Sequence, residues 1–365
     1  MPDIRSAQIY AFYLFDIAET VSLGAIPDLI GGPTIPARLV PKSPMPAYVQ
    51  YDKPPISFDG DLIGIPDIAG FRPRFRVYDY GVISLALSRP YDDGSWEGLV
   101  ELGQDLIENE ELGRLAEVHC RAVVNRLGPA LSGLRQEFLS EDYLVFAVHE
   151  LERPLQGDEI TERHGDAIAA MLRGERQRLS RQEIDTVLKH RISYLADDLA
   201  IATWNAAFVY DTPAGAAATL EIIEFANSQL LEFRYYDQLL DQQLGLIYTA
   251  LQRPRWYDKW IGSKYSRAAR LVHSLFVDVN ELTDRTENAL KFIGDIYAVR
   301  LFALVGARLG LDTWKANVQA KLKTLDEIYG STVEQSSISR GHFLELVVVL
   351  ILVLELVLLL LGVMS

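Results

Sequence analysis

The C-terminal residues 343–363 form an apolar run, FLELVVVLILVLELVLLLLGV, interrupted by the carboxylates Glu345 and Glu355. As a helix this run is about 31 Å long at roughly 1.5 Å per residue, which matches a hydrocarbon core of about 30 Å. Glu355 costs about 2.5–3.5 kcal/mol on an insertion scale, whereas the Leu, Val and Ile residues contribute about −5 to −10 kcal/mol. The run therefore predicts one transmembrane helix over residues 343–363, in preference to a buried core helix or strand.

The flanks of this run predict its orientation. Arg340 and His342 precede it, and basic residues favour the cytoplasmic side of a membrane. We therefore expect a tail-anchored, single-pass protein of the bacterial inner membrane with its large domain in the cytoplasm. Glu355 is expected to donate a hydrogen bond to a neighbouring copy, and Glu345 to lie among the headgroups, so that the span is also an oligomer contact.

Composition restricts the class of function. The formal net charge of −15 argues against general nucleic-acid binding and leaves at most a contact with the ribosome through a local basic patch. Cys120 is the single cysteine, so no intramolecular disulfide can form and a reducing compartment is expected. The first residues, MPDIRSAQIY, have the features of neither a signal peptide nor a transit peptide.

Residues 1–212 predict an acidic α+β domain. The stretch RFRVYDYGVISLALSRP has the pattern of a hairpin with Gly81 near its middle. Two acidic-then-apolar segments, SEDYLVFAVHEL and ADDLAIATWNAAFVYD, lie on either side of a helical stretch. This strand–helix–strand order predicts a mixed α/β sheet with helices on one face.

Near Pro213 the sequence changes to long helical patterns, and this change marks the predicted boundary of the domain. A stalk of long antiparallel helices is predicted over residues 213–342, with helices at about 216–251, 266–309 and 313–342. The third helix has the 4-3-4 spacing of a coiled-coil seam, formed by Val318, Leu322, Leu325 and Tyr329. The predicted fold class is thus α+β, followed by long helices and a single C-terminal transmembrane helix.

The break between the first two stalk helices combines basic and aromatic residues. Its members are Arg253, Arg255, Trp256, Tyr257, Lys259, Trp260 and Lys264. Antiparallel helices would bring this break to the membrane end of the stalk, where Lys and Arg attract anionic headgroups and Trp and Tyr favour the interface. We predict a membrane-surface loop. A charged loop whose aromatics cap the helical pair, and a nucleic-acid contact, are the alternatives.

Motifs for chemistry are missing from the sequence. It contains no P-loop, no G-x-G-x-x-G and no G-x-S-x-G, and its histidines have no metal-ligand spacing. We therefore predict no catalytic residues, no cofactor and no metal site. Trp204, Asn205 and Asp211 are the candidates for lining a cleft near the domain boundary, although their spacing alone does not require one.

Two stretches resemble the family that contains the bacterial YagE proteins and the eukaryotic "required for meiotic nuclear division" proteins. The first is FRVYDYGVISLALSRPYDDGSWEGLVELG. The second is DTWKANVQAKLKTLDEIYGSTVEQSSISRGHFLELVVVLILVLEL, in which Leu325-Asp326, Leu344-Glu345 and Glu355 match the family's C-terminal pattern. This resemblance implies a self-assembling membrane protein with a soluble α+β domain, and its mitochondrial members support translation by organellar ribosomes. It transfers no catalytic residue to this chain.

The sequence thus favours a non-enzymatic, tail-anchored protein that acts as a homo-oligomeric scaffold or binds a protein partner at the cytoplasmic face of the membrane. One alternative is a ligand-sensing or enzymatic domain tethered to the membrane. Another is a subunit of a channel or transport assembly, although the paired spans and Gly-Met-Asn loop of CorA-type transporters are missing.

Overall fold

A computed structural model describes residues 3–36, 53–252, 274–277, 279–281 and 296–328. The chain divides into two compact units. The first comprises Met1–Tyr235 and Asp284–Trp314, and the second comprises Tyr236–Thr283 and Lys315–Ser365.

The strands of the described residues belong to the first unit. They are β1 (Ile4–Asp16), β2 (Thr20–Val21), β3 (Ile35–Pro36), β4 (Ile56–Asp59), β5 (Arg72–Val77), β6 (Val82–Tyr91), β7 (Leu131–Ser132), β8 (Leu139–Leu151), β9 (Arg191–Ile192), β10 (Leu199–Ala202) and β11 (Ala206–Tyr210). Nine of them form one sheet in the order β3-β4-β5-β6-β1-β8-β11-β10-β9, and β2 pairs with β7. The sheet is antiparallel except between β8 and β11.

The described helices are α1 (Ile26–Ile30), α2 (Trp96–Ile107), α3 (Glu110–Leu127), α4 (Gly157–Arg173), α5 (Arg181–Leu188), α6 (Pro213–Gln252) and α7 (Ile296–Leu309). Helical residues also occur at 274–277, 279–281 and 311–328. Short 3-10 turns cover Leu23–Ala25, Gly60–Ile63 and Gly128–Ala130. Most helix starts follow local rules. Ser95, for example, caps α2 by accepting a hydrogen bond from the Gly98 backbone N–H, as its position before an apolar helical pattern predicts.

One face of the sheet packs against α1 to α5. Alternate side chains of β1 point to this side and are buried, namely Ile9, Ala11, Tyr13 and Phe15. Phe146 of β8 and Phe208 of β11 continue the same layer, and α2 and α4 contribute Leu99 and Ile168. This layer is the large apolar core, which follows from the period-2 pattern of the strands and the 3.6-residue pattern of the helices.

The opposite face combines large and small buried side chains. Phe12 and Tyr143 lie on it together with the alanines Ala147, Ala202 and Ala207. α7 contacts β9 and β10 on this side, and the part of α6 that belongs to the first unit is buried around nearly its whole circumference. Helices therefore cover both faces of the sheet, whereas the sequence predicted helices on one face only.

The hairpin prediction around Gly81 is confirmed, because β5 and β6 pair with Val77 opposite Ile83. The segment ADDLAIATWNAAFVYD, predicted as one strand, is instead the β10–β11 hairpin with Trp204 in its turn. α6 begins at Pro213 and runs to Gln252, close to the predicted 216–251, but the two units divide at Tyr235 within this helix.

The second unit has a small helical core of its own. Val318, Leu322 and Leu325, three members of the predicted coiled-coil seam, are buried, as is Leu240 of α6. Tyr329, the fourth member, lies outside the described residues. Lys321 bridges the carboxylates of Asp237 and Asp241, with both N–O distances at 2.7 Å.

The fold class needs a correction at its last predicted element. Among the residues that the structure describes, no helix is both long enough and apolar enough to cross a membrane. Residues 343–363 lie outside that part of the chain. The described structure therefore gives no support to the predicted C-terminal transmembrane helix, or to the single-pass, tail-anchored placement in a bacterial inner membrane that followed from it.

Gly81 gives a direct test of the turn that joins β5 to β6. Its φ is +90°, and a Cβ at this position would lie 1.8 Å from the carbonyl oxygen of Ala18. Gly81→Ala should therefore lower the free energy of unfolding by on the order of 3 kcal/mol or more, measured by urea denaturation.

Gly64→Ala is the matched control for this substitution. Its φ is +75°, but nothing lies within 4 Å of the added Cβ, so only the left-handed backbone is penalised, at about 1–2 kcal/mol. Equal losses of stability for the two variants would show that the contact with Ala18 is unimportant.

Candidate functional site

α6 carries an unusual set of buried polar side chains within the first unit. They are Thr219, Glu221, Glu224, Asn227, Ser228, Gln229 and Glu232. Glutamate is almost never fully buried unless it is paired, so each carboxylate in this set needs a partner. The part of the set that faces β5 and the turn after it forms a polar seam. We use this name for Arg76, Tyr80, Glu221, Glu224, Ser228 and Gln229.

Arg76 is the cationic centre of the polar seam. It alternates along β5 with Phe75 and Val77, which point into the apolar core, so its guanidinium lies on the face that α6 covers. Its Nη1 is 2.7 Å from a carboxylate oxygen of Glu224, and its Nη2 is 3.6 Å from one of Glu221.

Two carboxylates thus share one guanidinium in a buried position. Burial is the largest influence on Glu221 and raises its pKa to about 7, with Arg76 opposing the rise and Glu224 adding to it. Since the two glutamates are three residues apart on one helix face, ionising both costs free energy through mutual repulsion. Glu221 therefore holds a proton up to neutral pH, and the site can bind and release that proton near neutrality.

Two buried oxygens beside Arg76 have unused hydrogen-bonding capacity. Ser84 lies directly opposite Arg76 on the neighbouring strand β6. Among the described residues, none hydrogen-bonds to the Ser84 Oγ or to the Glu224 Oε1. Arg76 Nε donates to Ser57 Oγ at 3.1 Å, so the neighbouring strand β4 also contributes a hydroxyl to this region.

The polar seam continues one helical turn further along α6. Ser228 Oγ donates to the carbonyl of Phe225 at 2.7 Å, which leaves this oxygen to accept from Tyr80 Oη, also at 2.7 Å. Gln229 Nε2 donates to Tyr80 Oη at 3.2 Å. Because Tyr80 precedes Gly81, the tight β5–β6 turn positions the phenol against the helix.

A second charged group lies near the end of the first unit's part of α6. Asp16, at the end of β1, is buried and lies 3.3 Å from Arg135 Nε. Burial raises the pKa of Asp16 to about 6, and Arg135 acts against the rise. The Arg135 guanidinium stacks over the ring of Tyr235 at 3.8 Å, which links this ion pair to α6.

The structure does not bring the predicted cleft residues together. Trp204 and Asn205 lie in the β10–β11 turn, and Asp211 follows the opposite end of β11. The Trp204 side chain is 66% exposed. The carbonyl of Asn205 accepts from Leu144 N–H, and that of Asp211 lies 3.1 Å from His149 Nδ1. These contacts support the ends of the strand.

The other predicted site residues lie outside the described residues. They are Arg253, Arg255, Trp256, Tyr257, Lys259, Trp260 and Lys264 of the predicted membrane-surface loop, with Glu345 and Glu355 of the predicted span. In the described part of the chain, no group of three or more His, Cys, Asp or Glu side chains is arranged to hold a metal ion.

Comparison with known proteins places the chain among relatives. A family model described as "Uncharacterized protein MJ0711, N-terminal domain" matches residues 6–217. The chain is also similar to uncharacterized protein MJ0711 of Methanocaldococcus jannaschii, with 24% identity over 263 residues, which cover 71% of this chain and 78% of that protein. No solved structure matches. The family match ends before Glu221, so it includes the Arg76 side of the polar seam but not the glutamates.

The proton held by Glu221 should make stability depend on pH. The pKa of Glu221 is raised above its ordinary value of 4.5. The stability that protonated Glu221 contributes is therefore fully present below about pH 4.5 and is lost as the pH rises through about 7. Between pH 6 and pH 8 the wild type should lose about 1 kcal/mol of unfolding free energy through this group, measured by urea denaturation. Glu221→Gln should remove that loss.

Glu117→Gln is the control for the Glu221 substitution. The Glu117 side chain is 45% exposed and forms an ion pair with Arg121 one helical turn away, so Glu117→Gln should leave the pH dependence of the wild type unchanged. Identical pH dependence in the wild type and Glu221→Gln would contradict the assignment of the proton.

Proposed function

We propose that this chain, which belongs to the family of the uncharacterized protein MJ0711 N-terminal domain, is a non-enzymatic module that assembles with copies of itself and binds a protein partner. The observation that carries this proposal is the exposure of large apolar side chains on two helical segments of the second unit. The finer resemblance to the YagE and "required for meiotic nuclear division" proteins stays a prediction.

The exposed apolar residues are Leu246 and Tyr248 of α6 together with Phe276 and Val277 of the segment 274–277, each between 49% and 65% exposed. Other residues of the same two segments, Leu240 and Leu275, are buried. The helices of the second unit therefore bury one set of apolar side chains and leave another exposed to solvent. Large apolar side chains exposed on two helical segments of one unit are candidates for an association surface.

Self-assembly is the simplest way to cover these side chains. Interfaces between identical subunits are more apolar than the remaining protein surface, and aromatic residues are enriched at their centres. The net charge of −15 opposes association, since every copy carries the same charge. Apolar burial and charge repulsion thus act in opposite directions, and added salt should strengthen the assembly by screening the repulsion.

A sensing domain is the second candidate function. The polar seam favours it, because Glu221 exchanges a proton near neutral pH beneath a helix that is otherwise firmly packed. A small change in pH near neutrality would then change the charge of Glu221, and with it the free energy of packing α6 on the sheet. The channel or transport alternative depends on the predicted membrane span, which no helix of the described residues supports.

Analytical ultracentrifugation of the full chain tests self-assembly. Leu246→Glu and Phe276→Glu should each raise the dissociation constant by about tenfold or more, since each places a charge at an apolar contact. The wild type should associate more strongly at higher salt.

Val118→Glu is the matched control. Val118 lies on α3 of the first unit and is 63% exposed, so the substitution adds the same charge away from the second unit. A wild type that sediments as a monomer at every concentration, or a Val118→Glu effect as large as that of Leu246→Glu, would contradict the proposal.

A further inference from the structure

Basic side chains converge at one edge of the large sheet. Arg173 is the last residue of α4, Lys189 follows α5, and His190 precedes the edge strand β9. Arg308, in the last turn of α7, reaches the same place from the other face of the sheet, since α7 packs on β9. We call Arg173, Lys189, His190 and Arg308 the basic corner.

The central contact of the basic corner joins two nitrogen groups. Arg308 Nη1 lies 2.7 Å from His190 Nε2. A guanidinium can only donate, so Nε2 accepts, and the imidazole is neutral with its proton on Nδ1. Among the described residues, no carboxylate lies within ion-pair distance of Arg308. Its Nε is buried and makes no hydrogen bond within that part of the chain, and the same holds for Arg173 Nε.

The charge of the basic corner is only partly balanced. Glu183 lies 2.6 Å from Arg173 Nη2, and it is the acid that pairs with a member of the corner in the described structure. The pKa of His190 is lowered, first by burial and then by Arg308, Lys189 and Arg173. Four groups from three helix ends and one strand thus produce a positive potential that resists a further proton.

Helix dipoles explain part of this arrangement. Basic residues are favoured in the last turn of a helix, which accounts separately for Arg173 on α4 and Arg308 on α7. The dipole does not explain why Arg308 faces an imidazole in a chain whose acids outnumber its bases by 15. His190 would repel Arg308 if it became protonated. An anion beside the Arg308 guanidinium would offset the positive charge that opposes protonation of His190.

We propose that the basic corner is a binding site for a phosphate group, either inorganic phosphate or the phosphate of a small metabolite. A guanidinium donates two parallel hydrogen bonds to phosphate oxygens, and an ammonium supplies a point charge. Arg308 and Lys189 offer these donors, while His190 orients Arg308 by accepting its hydrogen bond at Nε2 and Arg173 adds long-range attraction. A phosphate dianion would balance the charge that Glu183 leaves uncompensated.

Isothermal titration calorimetry of the full chain with inorganic phosphate tests the proposal, with sodium chloride used to keep ionic strength constant. Arg308→Gln should weaken phosphate binding by about tenfold or more, because it removes charge-assisted hydrogen bonds. Lys189→Gln should also weaken binding. Lys189 is exposed, so this variant remains informative if Arg308→Gln fails to fold.

Arg191→Gln is the matched control. Arg191 is the next residue after His190, but it is exposed and already lies 3.7 Å from Asp158, so its removal should change phosphate affinity by less than about twofold. Absence of saturable phosphate binding in the wild type would overturn the proposal. So would equal losses of affinity in Arg191→Gln and Lys189→Gln, which would indicate a general effect of charge.

The histidine supplies a second, independent measurement. Bound phosphate should raise the pKa of His190, since the anion offsets the three cations that now lower it. Proton NMR titration of the histidine ring, assigned with His190→Gln, should show this rise in phosphate buffer and not in chloride of equal ionic strength. A His190 pKa that is equal in the two salts would contradict phosphate binding at this site. A nucleoside monophosphate that binds more tightly than inorganic phosphate would identify a metabolite as the source of the group.

Discussion

The packing of α6 on the sheet depends on the guanidinium of Arg76. Without it, the helix would bury Glu221 and Glu224 with no opposite charge beside them, which typically costs several kcal/mol. Ion pairs of this kind rarely add stability relative to apolar packing, but they do penalise alternative positions of the helix. Arg76 therefore fixes where α6 lies along β5 more than it strengthens the packing.

The parts of the fold that follow local rules could be predicted from the sequence. The β5–β6 hairpin depends on alternating residues and a glycine at the turn, and both features can be identified within twenty residues. The start of α2 depends on one N-cap serine, and the buried Val318, Leu322 and Leu325 depend on helical spacing. In each case the determining residues are neighbours in the chain.

The polar seam could not be predicted in this way. Glutamates on a long helix indicate a solvent-exposed face. Nothing near Glu221 in the sequence signals that Arg76, about 145 residues earlier in the chain, will form an ion pair with it. The ADDLAIATWNAAFVYD segment was misjudged for a related reason, since its turn at Trp204 contains none of the glycine or proline signals that mark hairpins. The membrane prediction rested on hydropathy alone, and no described helix supports it.

The position of β1 at the centre of the sheet has a consequence for synthesis of the chain. Its two neighbours, β6 and β8, end at Tyr91 and Leu151, far downstream in the sequence. At roughly 5–20 residues per second, a ribosome needs about 4–15 s after completing β1 to finish β6, and longer to finish β8. During that interval the first segment of the nascent chain is an apolar strand with both edges unpaired, which is a template for aggregation. The central strand of the finished sheet is thus also the one left longest without its neighbours while the chain is being made.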